Sequence, residues 1–113
     1  MQANDYQELA MRTAPKHIFE HAEDALDNAA LGLCGEAGEF ADILKKHFYQ
    51  GHDIDETHLA KELGDILWYV AMACEALDVT MEDVMNMNIK KLMARYPYGF
   101  DSDRSQHRVA GDI

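Results

Sequence analysis

The chain has 113 residues, 48% of them hydrophobic, and a formal net charge of −11. That length serves one domain, expected to span residues 1–113, with a core that hides roughly two-thirds of the unfolded surface. The acidic balance argues against loose attraction to nucleic-acid polymers or anionic membranes, and no apolar run approaches the ~20 residues of a membrane span.

Seven Met and few β-branched residues suit packed helices better than a sheet. The polar opening MQANDYQ does not read as a secretory leader, so the expected compartment is the cytoplasm. Cys34 and Cys74 fit neither a zinc spacing nor a disulfide scaffold and read as small apolar fillers.

In chain order, Asn4 or Asp5 can cap a first helix carrying Tyr6, Leu9, Ala10 and Thr13, limited by Pro15. A second helix starts between Pro15 and Asn28 and runs to about Gln50, with Gly51 as its terminator. Glycines at 32, 35 and 38 oppose helical propensity there, which predicts close approach of another backbone. After the polar loop GHDIDET, the residues Leu59, Leu63, Ile66, Val70, Ala73 and Leu77 step by 4, 3, 4, 3 and 4, the period of a helix. From Ile66 to Ala73 that helix is apolar nearly all round, so it is expected to be central or shared with another subunit. Thr80 and Asp83 form a capping-box pattern ahead of a fourth helix that ends near Arg95. Pro97 and Gly99 stop it, and the tail from about 97 to 113 reads as irregular, docked by Phe100.

Two acid pairs interrupt this apolar pattern. Residues three apart on a helix share a face, so Glu36 can act with Glu39, and Glu62 with Asp65. Either pair alone is commonplace on a solvated helix. Their setting is not, because the stripe Glu62, Asp65, Tyr69, Met72 and Ala76 turns apolar within a turn of Asp65. Carboxylates gathered at the edge of an interior repel one another unless they are protonated or neutralised by cations. An all-oxygen set without His or Cys suits Mg²⁺, with Mn²⁺ as a substitute, and two or more such ions can hold a polyphosphate and activate water. Asn88, Lys91 and Arg95 share a face of the fourth helix and offer an amide and two cations, or merely a basic helix end. Lys45 and Lys46 can meet phosphate or simply complement the end of the second helix, and Asp42 is a conceivable further metal ligand.

Glu36-x-x-Glu39, then 22 residues, then Glu62-x-x-Asp65 resembles the signature of the MazG-like, all-α nucleoside triphosphate pyrophosphohydrolases of the short phage and bacterial type. The similarity extends to YQELAMRTA, LGLCGEAGEFADILKK, KELGDILWYV and NIKKLMARYPYGFDSDRSQHR, which together cover most of the chain. The resemblance implies an all-α fold of four-helix-bundle type whose core is completed by oligomerisation, as a homodimer or homotetramer. It implies Mg²⁺-dependent hydrolysis of nucleoside triphosphates, deoxy or non-canonical ones among them, to monophosphate and pyrophosphate. It makes Glu36, Glu39, Glu62 and Asp65 the metal ligands and places the nucleotide near Tyr69, Asn88 and Lys91, with Arg95 a further phosphate candidate. An acid beside the metals is best placed to take the proton of the attacking water, which points to Glu39, or else Glu36, as the base.

Four other readings compete. His17-x-x-Glu20-His21 matches the HxxEH pattern of inverted zinc peptidases, although that fold needs more protein and a distant acid. A ferritin-like di-iron site wants Glu-x-x-His, which neither acid pair supplies. A phosphoribosyl-ATP pyrophosphatase and a helical dimer that binds nucleotide without turnover are the remaining alternatives.

Overall fold

The computed structural model describes residues 1–109, and every element among them that is longer than a turn is helical. Helix α1 spans Ala3–Met11, α2 Ala22–Gln50, α3 Glu56–Ala76, α4 Met81–Arg95 and α5 Ser102–Gln106, with a 3₁₀ turn at Lys16–Phe19 between α1 and α2. The chain divides into two compact units, one of residues Met1–Met81 and a second that begins at Glu82. The all-α class read from the sequence is thus the class of the fold.

Local chemistry sets most helix ends. In α1, Asp5 sits in the first turn and accepts the Gln2 backbone N–H at 3.2 Å, so it supports the start from inside the helix instead of capping it. Helix α2 stops where Gly51 adopts a left-handed φ of 73° and His52 N–H reaches back to Lys46 O at 3.1 Å. Asp55 caps α3, its Oδ1 accepting from Thr57 N at 3.0 Å and His58 N at 3.2 Å. Asp78, at φ 56°, turns the chain out of α3, and Val79 N–H bonds to Cys74 O at 3.0 Å. The tail departs from expectation: α5 forms under an Asp101 cap, and Phe100 is 78% exposed instead of docked. Residues 110–113 of the expected tail lie outside the described residues.

In the first unit α2 and α3 pack as an antiparallel pair, since Ala29 shares a cluster with Met72 while Gly32, one turn on, meets Tyr69, one turn back. One core cluster is made by Ala14, Ala29 and Met72 with Met11, Ile18, Phe19, Trp68 and Ala73 packed against them. Helix α1 is pinned across α3 by Gln7, whose buried amide donates to Glu75 Oε1 at 3.0 Å and Val79 O at 3.1 Å and accepts Met81 N–H at 2.6 Å. Trp68 Nε1 donates to Thr13 Oγ1 at 2.8 Å, and Thr13 donates in turn to Ala10 O at 2.6 Å.

Burial on α3 departs from the leucine stripe. Glu62, Ala71, Met72 and Cys74 are buried, whereas Leu63, Leu67 and Leu77 remain exposed. Glu62 and Met72 belong to the adjoining stripe of Glu62, Asp65, Tyr69, Met72 and Ala76, whose Met72 and Tyr69 meet Ala29 and Gly32 of α2. The glycines also divide. A Cβ on Gly32 would run into the ring of Tyr69, so a side chain and not a backbone makes the close approach, and a Cβ on Gly35 or Gly38 would meet nothing within 4 Å. Cys74 is buried as a filler, but Cys34 is exposed.

Candidate functional site

The antiparallel register of α2 and α3 brings their acid motifs together. Glu36 on α2 faces Glu62 and Asp65 on α3, and one carboxylate oxygen from each lies within 4.8 Å of the other two. Glu62 is buried, Glu36 half-buried and Asp65 exposed, so the cluster starts in the interior and opens to solvent at Asp65. Glu39 stands outside this trio on the exposed side of α2, near enough for its charge to act on Glu36.

Crowding sets the charge state. The Glu36 carboxyl is pushed up to about 7, first by a hydrogen bond shared with Glu62, then by desolvation and by the charges of Glu39 and Asp65. Glu36 Oε2 and Glu62 Oε2 are both buried without a hydrogen-bond partner. Two oxygens of this kind beside a third carboxylate form an electron-rich, all-oxygen donor set, which fits a hard divalent cation such as Mg²⁺ or Mn²⁺. Among the described residues this trio is the group that could hold a metal; the HxxEH residues His17 and His21 take no part in it.

Two neighbours of the cluster carry no signal in the acid motifs. His58 Nε2 contacts Glu62 Oε1 at 3.1 Å, one helical turn before it on α3. Tyr6 on α1 donates its hydroxyl to Gly64 O at 3.4 Å, and burial together with the charge of Asp65 raises its pKa. His58 was detectable as an i, i+4 partner of Glu62, whereas Tyr6 depends on a crossing of helices that no local pattern encodes.

The other sequence candidates fall as follows. Tyr69, one turn past Asp65, lies half-buried over Gly32 with its ring edge-on to Trp68 at 5.0 Å between centroids. Asn88, Lys91 and Arg95 stand on α4, in the second unit, whereas the acids belong to the first. Within that unit Arg95 places its guanidinium 5.8 Å from the centre of the Tyr96 ring. Asp42 is taken up by Lys46 at 2.9 Å and Lys45 at 3.6 Å, and the Lys46 hydrogen bond holds its carboxyl below the usual range.

Acids presented from facing helices in this way could hold a metal ion, and comparison with known proteins gives the class of the chain. The model of the MazG nucleotide pyrophosphohydrolase domain matches residues 25–100, and the chain belongs to that family. The Gene 37 protein of Mycobacterium phage L5 is 35% identical over 108 residues, which cover 88% of this chain and 92% of that one. No solved structure matches the chain. The matched span includes all four acids and the α4 residues Asn88, Lys91 and Arg95. Among the described residues no helix is long and apolar enough to cross a membrane.

Proposed function

We propose that the protein hydrolyses nucleoside triphosphates, deoxy or non-canonical ones among them, to the monophosphate and pyrophosphate in a reaction that requires Mg²⁺ and accepts Mn²⁺. The observation that carries this reading is the trio Glu36, Glu62 and Asp65, with two buried unpartnered carboxylate oxygens, in a chain of the pyrophosphohydrolase family. Glu36, Glu62 and Asp65 hold the cation, and Glu39 flanks them as a fourth acid. Bound there, a divalent cation neutralises phosphate charge and makes a nearby water more acidic.

The residues of the chain then have separable tasks. Glu39, exposed beside the trio, takes the proton of the water that attacks the α-phosphorus, with Glu36 as the alternative base. The new bond joins that water oxygen to the α-phosphorus; the bond to the bridging oxygen breaks, and pyrophosphate leaves with the electron pair. Lys91 and Arg95 neutralise charge on the departing phosphates, Asn88 hydrogen-bonds the sugar or base, and Tyr69 bounds the pocket one turn from Asp65. The exposed Leu63, Leu67 and Leu77 support assembly as a homodimer or homotetramer.

Incubation of purified protein with Mg²⁺ and each NTP and dNTP, with separate assays for pyrophosphate and orthophosphate, tests the reading. Stoichiometric pyrophosphate and monophosphate are expected from at least one substrate. Release of orthophosphate in their place overturns the assigned cleavage.

A further inference from the structure

Glu62 is the most deeply buried acid of the trio, with its side chain 9% exposed. A long carboxylate on a helix has several rotamers, and an acid that must present one particular oxygen to a ligand loses affinity if it samples them all. Something has to fix it. Glu62 Oε1 lies 3.1 Å from His58 Nε2, while Oε2 is buried and, apart from the proton that Glu36 and Glu62 can share, meets no hydrogen-bond partner. Where Glu62 Oε1 accepts, the imidazole is the tautomer with its hydrogen on Nε2. The two oxygens of Glu62 are therefore inequivalent: one is tied to a protein donor and the other is left over.

The anchor is itself anchored. His58 lies in the first turn of α3, and its backbone N–H is held at 3.2 Å by the same Asp55 oxygen that accepts Thr57 N–H at 3.0 Å. From that capped turn, i to i+4 spacing carries the imidazole directly beneath Glu62. The ring is about half exposed, bordering a cleft of about 210 Å³ lined also by Ile43, Lys46, His52, Asp53 and Asp55. A half-exposed ring lining a cleft contributes little to the core, and its nitrogen Nε2 meets the buried acid.

We infer that His58 is a positioning residue of the metal centre, a ring that holds Glu62 through Oε1 so that Oε2 is presented to the divalent cation. The inference rests on the metal reading of the Glu36, Glu62 and Asp65 cluster. Donors that orient carboxylate and imidazole ligands from outside the coordination sphere typically alter metal affinity by roughly 10- to 100-fold. The role requires an N–H at the position of Nε2 and no imidazole chemistry as such, so a glutamine, which can reach i+4 with its amide, should replace it.

The test is Mn²⁺ affinity of the full-length protein without nucleotide, measured by electron paramagnetic resonance of the free ion, with thermal melting alongside. Wild type is expected to bind and Glu62→Gln to lose binding. His58→Ala should weaken binding roughly 10- to 100-fold with an almost unchanged melting temperature, and His58→Gln should recover affinity to within about threefold of wild type. Equal affinity in His58→Ala and wild type overturns the inference while leaving the metal site intact, and so does a His58→Gln variant as weak as His58→Ala. Absence of Mn²⁺ binding in wild type overturns the metal reading itself, and the inference with it.

Discussion

At the scale of single residues, Glu36 couples the site to pH. Its carboxyl titrates near 7 in the folded chain and near 4.5 otherwise, chiefly because it shares a hydrogen bond with Glu62. The folded state thus holds this proton more tightly than the unfolded chain does. Its contribution is complete below pH about 4.5 and is lost as pH rises through about 7. Metal-free protein should therefore melt at progressively lower temperature across that window, and Glu36→Gln should flatten the slope; equal slopes in the two proteins would contradict the assignment. Added Mg²⁺ should raise the melting temperature more above pH 7 than at pH 5, because the cation competes with the Glu36 proton. Glu62→Gln should fold yet lose pyrophosphate release, and unchanged turnover would remove that residue from the site.

At the scale of elements, the α2–α3 seam is set by one ring against one glycine. Gly32→Ala gains about 1 kcal/mol of helix propensity but drives a methyl group into Tyr69, a clash costing about 1–3 kcal/mol, so a net loss in urea denaturation is expected. A gain instead would mean that Tyr69 swings aside freely. The α1–α3 crossing hangs on Gln7, which a sequence pattern passes over because a polar residue on an amphipathic helix looks solvated. Gln7→Ala orphans the buried Met81 N–H and should cost about 1–3 kcal/mol. Substitution by leucine should not restore it, since the loss is of hydrogen bonds and not of volume.

At the scale of the whole molecule, the exposed leucines of α3 pose the main question. Leu63 and Leu67 are 49% and 47% exposed on a helix whose opposite side is buried, and apolar side chains in that arrangement favour a partner surface. Light scattering should give a mass of two or four chains, and Leu67→Glu should shift it toward one. Full activity in a stable monomer would defeat the proposed assembly. The open space at Gly35 offers an independent reading: Gly35→Ala should gain up to about 1 kcal/mol if that face stays in water and lose stability if a second copy packs there.

What the sequence determined by itself was whatever depends on near neighbours in the chain. The 4, 3, 4, 3, 4 stepping in α3, the stop at Gly51 and the pairing of acids three apart are all consequences of helical geometry, and they sufficed for the fold class and for the acids that converge. Helical periodicity says that a stripe exists without saying which stripe is covered, so the burial of Glu62 and Met72 and the exposure of Leu63 and Leu67 were decided by where α1 and α2 lie. The same holds for Tyr6 beside Asp65 and for Gln7 at the end of α3, contacts between residues far apart in the chain. The tail was misread for a different reason, since α5 is so short that a single Asp101 cap defines it and no apolar period has room to show. Separation of Glu39 from the other three acids also required coordinates, because a motif records spacing along one helix, and a binding site is a distance between two.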